Sequence, residues 1–261
     1  MKKAAMIAAI GGLMTAGVEV PTAAQDGDEP FAHADGQQIG TRFKRKPEVA
    51  GESERRRIQK DVAKCVVYRN KDLSRELLAK SDTADIDFDA LDDLDPDGLF
   101  DELDVSDCLG RAAKYGTLSI RMSIPFRTLR NLMTEEVYLL DQKKPMTLAD
   151  NAPLHLANRF DAAKGRPAVM AMAQLSDCMV HSDVATSDAL IRSRPGSDEE
   201  NEALEALHPA MIACAGPEAA SAEVDANVVR MLIADGLWAR MHYGPSAPVA
   251  NDNEAAKNDD A

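Results

Sequence analysis

Apolar residues through the middle of the chain recur at helical spacing. Ile58, Val62, Cys65 and Val66 fall on one face, broken by Arg69. Leu73, Leu77 and Leu78 continue that helix or begin its second half. Leu129, Leu132, Met133, Val137 and Leu140 repeat the spacing, as do Val229, Leu232, Ile233, Leu237 and Met241. "SDEE" at 197–200 is a capping-box start for a helix through Leu204 and Leu207. A kink or split is expected at His208-Pro209. Strand-like alternation is rare: "TLSIRMSI", 117–124, is the one candidate, and it reads equally as an extended connector. The pattern predicts an all-α protein.

The helical blocks repeat. "CVVYRNKDLSRELLAKS" from Cys65 aligns with "CMVHSDVATSDALIRSR" from Cys178, an offset of 113. Val67 then meets Val180, Ser74 meets Ser187, and Leu77-Leu78 meets Leu190-Ile191. Cys108 falls on Cys214 and Gly110 on Gly216 at an offset of 106. "LRNLMTEEVY", 129–138, falls on "VRMLIADGLW", 229–238, at an offset of 100, with Arg130 on Arg230 and Tyr138 on Trp238. Amphipathic helices share apolar positions by chance, but cysteines in register favour an internal duplication. The unit is a cysteine-bearing helix, a turn, a second helix ending at a cysteine, and a third helix. Two such three-helix units are expected, at 51–142 and 169–243. A linker at 143–168, with Pro145, Pro153 and Pro167, joins them.

The ends differ from this middle. Lys2 and Lys3, the apolar run Ala4–Val18 and the small residues Thr22-Ala23-Ala24 form the three-part layout of a signal peptide, 1–24, with cleavage expected after Ala24. The apolar run is short for a membrane span. Residues 25–50 are polar and read as a disordered lead, and 244–261 as a disordered acidic tail.

The formal charge is −14, and loss of Lys2, Lys3 and Glu19 with the leader moves it to −15. Such an acidic chain argues against nucleic-acid binding and attraction to anionic membranes. The basic spots "RFKRK", 42–46, and "RRR", 55–57, read as solvated faces or a helix start. No membrane span is expected after leader cleavage.

In an exported chain, the four cysteines Cys65, Cys108, Cys178 and Cys214 point to disulfides. Four cysteines allow three connectivities, and the repeat selects Cys65 with Cys108 and Cys178 with Cys214. The "CVV" start, "LRNLMTEEVY", "GSDEENEAL" and the position of "DGLWARM" give a layout, over about 55–243, that resembles a group of exported bacterial proteins with two cysteine-paired helical halves. That resemblance implies no activity.

The sharpest chemical candidate is "DLDPDGLFDELD", 93–104. As a calcium loop it would offer Asp93, Asp95 and Asp97, the Leu99 carbonyl, Asp101 and a closing Asp104, with Gly98 at the turn. Against this stand an aspartate where the closing glutamate belongs, a poor entering helix and no counterpart in the second copy. The same letters spell a helix start: Asp95 as N-cap, Pro96 in the first turn, and Phe100, Leu103 and Cys108 on the buried face. Cys178, His181 and Cys214 have a zinc-like spacing, but Tyr68 stands opposite His181 and oxidised cysteines do not ligate metal.

The histidines His33, His155, His181, His208 and His242 are scattered, and no hydrolase, zincin or P-loop motif occurs. Tyr68, Tyr138 and Trp238 sit at core spacing. The leading expectation is an exported, periplasmic or secreted, non-catalytic structural or interaction module. It is expected to need no cofactor and to meet a protein partner in the envelope. The alternatives are a weak calcium binder at 93–104 and, below it, an enzyme with a site between the halves.

Overall fold

The computed structural model describes residues 51–84, 86–91, 94–112, 124–156, 159, 166–217 and 225–244, all within one unit, 48–261. The leader, the polar lead, Asp93, residues 117–123 and the tail beyond Gly244 lie outside the described residues.

Among the described residues there are nine α-helices and no strand; Ser81 and Ile86 form one isolated antiparallel bridge. The helices are α1 (Glu52–Arg69), α2 (Lys71–Ala79), α3 (Leu99–Glu102), α4 (Val105–Ala112), α5 (Phe126–Asp141), α6 (Pro167–Ser182), α7 (Val184–Arg192), α8 (Asp198–Ala215) and α9 (Ala226–Tyr243). No described helix is long and apolar enough to cross a membrane.

The first apolar run breaks into α1 and α2 at Asn70. Its side-chain amide donates to the carbonyls of Val66 and Leu103, drawing the chain out of helical geometry. The corresponding break between α6 and α7 is at Asp183, whose carboxylate accepts from the Thr186 N–H as an N-cap. The acidic stretch also divides. Asp95 accepts from Gly98 N–H and caps a turn, and α3 begins only at Leu99. Asp104, at φ 53°, then separates α3 from α4. Pro209 lies inside α8, which runs through as one helix instead of splitting. Pro209 and Glu205, whose carbonyl loses its donor there, are both exposed.

Two packing patterns recur. α1 packs on α4 and α5, and α2 on α5; α6 packs on α8 and α9, and α7 on α9. α5 and α9 pack on each other, and α7 also packs on α8. Val66, Val67, Ser74, Leu77 and Leu78 are fully buried, and so are Met179, Val180, Ser187, Leu190 and Ile191, each 113 positions later. The hydroxyls of Ser74 and Ser187 are both buried without a hydrogen-bond partner.

The sulfurs join Cys65 to Cys108 and Cys178 to Cys214. The first bridge ties α1 to α4, the second α6 to α8. Tyr138 and Trp238 are buried, but Tyr68 is 49 % exposed, which corrects the expectation that all three lie in the core. Tyr68 projects from the outer face of α1, with Lys71 over its ring.

Candidate functional site

Charged side chains sit deep in the seam between α5 and α9. Arg130 and Glu135 lie on α5, Arg230 and Asp235 on α9, and all four are buried. Glu135 lies roughly 140° around the helix from Arg130, and both are buried, α5 being enclosed at Leu129 and Arg130 and from Met133 through Tyr138.

The pairing is reciprocal. Arg130 Nη1 donates to Asp235 Oδ1 at 2.9 Å. Arg230 Nε and Nη2 donate to the two oxygens of Glu135 at 2.7 and 2.8 Å. Paired positions run in opposite order along the two helices, so α5 and α9 are antiparallel. Each arginine also reaches the end of the short helix in its own part of the chain. Arg130 donates to Ser81 Oγ and carbonyl; Arg230 donates to the Ile191 and Ser193 carbonyls and to Ser193 Oγ. A guanidinium there satisfies carbonyls left free at a helix C-terminus and faces the negative end of its dipole.

Around Glu135 the network grows. Lys60 on α1 pairs with Glu135 and, at 2.8 Å, with Glu136. Arg230 also pairs with Glu200 on α8 at 2.9 Å, and Arg56 binds both oxygens of Glu200 at 2.9 and 2.7 Å. Burial pushes the Glu200 carboxyl up. The hydrogen bonds from Arg56 and the Gly196 N–H, with the charges of Arg56 and Arg230, outweigh it and hold the group below its ordinary value. Burial likewise lowers Lys60, against the pull of Glu136. The turn before α8 presses on α1: Gly196 has φ +70°, and a Cβ there would stand 2.7 Å from Ser53.

Around Asp235 the set differs. Arg159, from the connector between α5 and α6, donates to Asp177 and Asp235. Asp177 also accepts from the Leu156 N–H at 3.1 Å. Burial raises Asp177 above its ordinary value although Arg159 pulls it down. Arg240 holds the connector through the Pro153 and Leu154 carbonyls, both at 2.7 Å. A third cluster joins α5 to α7: Tyr138 donates to Asp188, which Arg192 also holds. Burial and the Asp188 carboxylate push the Tyr138 phenol far up.

The calcium candidates are dispersed in use. Asp95 caps its turn, the Leu99 carbonyl accepts from Leu103 N–H, and Asp104 pairs with Arg69 at 3.1 Å. Asp97 and Asp101 are described residues of the turn and of α3, while Asp93 lies outside the described residues. Among the described residues no group of three or more His, Cys, Asp or Glu is placed to hold a metal ion. Cys178 and Cys214 are bonded to each other, and His181 Nε2 lies 3.1 Å from the Ala152 carbonyl.

Sequence reasoning passed over the seam. The signal was present: the register that sets Arg130 on Arg230 also sets Glu135 on Asp235, charges inside otherwise apolar faces. Comparison with family models, curated proteins and solved structures found no match for this chain.

Proposed function

We propose that this is an exported, non-catalytic helical protein, a structural or protein-interaction module of the cell envelope, built from two like units that arose by duplication. The observation that carries the reading is the reciprocal seam. One arginine and one acid, five positions apart, occur on each of two antiparallel helices, and each arginine pairs with the other helix's acid. This is the geometry of a two-fold interface between identical partners, retained within one chain. Its charged groups serve cohesion: each acid of the seam is held by a cation, and each arginine also ties down backbone carbonyls. The leader-like start and the two disulfides support an oxidising, extracytoplasmic setting.

The test is expression with the leader intact, followed by cell fractionation, intact mass and non-reducing peptide mapping. The expected product begins at Gln25, carries both bridges and lies outside the cytosol. A reduced cytosolic chain that keeps residues 1–24 would overturn export. A seam variant that melts like wild type would overturn the reading that the seam's charges serve cohesion.

A further inference from the structure

The two bridges sit in different surroundings. Cys108 is fully buried in the middle of α4 and belongs to the same core as Leu99, Leu103 and Val105. Arg69 ties α1 to this region a second time, through Asp104 at 3.1 Å and Asp107 at 3.3 Å. Cys178 and Cys214 are both half-buried, and Cys214 stands in the last turn of α8. The hydroxyl of Ser182, an exposed residue, lies 3.7 Å from the Cys214 sulfur. The stretch of α8 that carries Cys214 is weakly held. Pro209 has no N–H to give to the Glu205 carbonyl, so the helical ladder loses a bond there. From 210 to 215, Met211 alone is buried. It lines an apolar cavity of about 80 Å³ together with Met179, Leu204, Leu207, His208 and Val229. Packing is incomplete at the point where the bridge fastens the end of the helix.

We propose that Cys178–Cys214 is a reducible latch, opened by thiol–disulfide exchange with a dithiol while Cys65–Cys108 stays closed. Exchange needs access to a sulfur, which the half-buried pair gives and the core-embedded Cys108 restricts. A thiolate of the dithiol bonds to the Cys178 sulfur, the Cys178–Cys214 bond breaks, and Cys214 leaves as a thiolate that takes up a proton. The Ser182 hydroxyl is placed beside that leaving sulfur to donate to it. The second thiol of the reductant then displaces Cys178. Two electrons and two protons pass to the protein, and the dithiol ends as a disulfide. Residues 210–215 lose their tie to α6 and open locally, and the wall that Met211 gives the cavity goes with them. The inference stands on the two bridges and their surroundings and is independent of the function proposed above.

The full oxidised chain is treated with dithiothreitol without denaturant, and the thiols that appear with time are blocked and mapped. Cys178 and Cys214 should be labelled about tenfold sooner than Cys65 and Cys108. Hydrogen exchange on the half-reduced protein should rise at 210–215 and stay unchanged in α1 and α5. Cys178→Ser with Cys214→Ser, which fixes the latch open, should give the same exchange pattern without reductant. If that variant does not fold, the half-reduced wild type carries the measurement. The latch is refuted if both bridges reduce together or Cys65–Cys108 reduces first. It is equally refuted if protection at 210–215 survives selective reduction, or if protection is lost throughout the chain.

Discussion

The Glu135 end and the Asp235 end of the α5–α9 seam solve the same problem with different parts. Both bury an acid against an arginine from the opposing helix. At Glu135 the remaining charges come from helices: Lys60 and Arg56 on α1, Glu200 on α8. At Asp235 the extra cation comes from the connector. The difference traces to two positions. Gly236 lets Ser176 approach until a Cβ would lie 2.6 Å from its Oγ, and Ser176 donates to the Leu232 carbonyl at 2.6 Å. At the other end Glu136 takes Gly236's place and requires Lys60. The two ends thus differ by a whole ion pair, Lys60 with Glu136, where the other end has close helix contact at Ala173 and Gly236. Removing one partner of a buried pair is costly, whereas removing both can be neutral.

The strongest way to break the comparison is to remove one arginine from each end. Arg230→Met leaves Glu135 and Glu200 short of a cation and frees the carbonyls of Ile191 and Ser193; it should cost about 3–5 kcal/mol. Arg130→Met leaves Asp235 still held by Arg159 and should cost clearly less. Denaturant melts of the two variants check the order, and equal losses would show that Arg159 contributes nothing to Asp235.

The bridges come next. Each closes a loop, 43 residues apart for Cys65–Cys108 and 36 for Cys178–Cys214, for which chain entropy gives about 4 kcal/mol, less whatever residual structure the unfolded state keeps. Cys178→Ser with Cys214→Ser should perturb Trp238 fluorescence more than Cys65→Ser with Cys108→Ser, because α9 packs on α6. The reverse order in fluorescence-detected unfolding would contradict this packing.

Gly236→Ala should cost about 1–3 kcal/mol, because its Cβ meets Ser176 and Val180 within 2.8 Å, backbone included. Ala173→Lys with Gly236→Glu would copy the Glu135 end. A double variant as stable as wild type would mean that Arg159 and Ser176 yield readily, against the close fit described.

The smallest effect is in pH. Glu200 has a folded-state pKa below its ordinary value, so it contributes stability that is full above the ordinary glutamate range and is lost as pH falls through the lowered value. Asp177 is raised, so its contribution has the opposite sign: stability falls as pH rises from the ordinary aspartate value through the raised one. Glu200→Gln should flatten the acid limb of a stability–pH curve, and Asp177→Asn should remove a decline that begins above the ordinary aspartate value. Parallel curves for the two variants would refute the difference between the ends.

Much of the framework was legible from local pattern. The 3.6-residue spacing of Val62 and Val66, or of Val229 and Ile233, reflects a face that must be buried, and helix formation follows from it. The cysteine register pointed to the two bridges the structure contains. The breaks were harder to read. Asn70 ends α1 because its amide finds the Leu103 carbonyl, a partner 33 positions away that no local window contains. Pro209 does not divide α8: it and Glu205, whose carbonyl it leaves without a helical donor, are both exposed residues. Tyr68 sat at core spacing yet points outward.

What the sequence alone determined was helix content, the cysteine register and the residue types available along each helix. Only the tertiary structure decided that Arg130, Glu135, Arg230 and Asp235 meet, and that Arg159 from the connector takes the place of a helical lysine. The reason is physical. Periodicity reports which side of a helix leaves water, a property of neighbours three and four positions apart. Ion pairing inside the core depends on groups 76 to 105 positions apart being brought into contact, and on each charge finding its partner once water has gone.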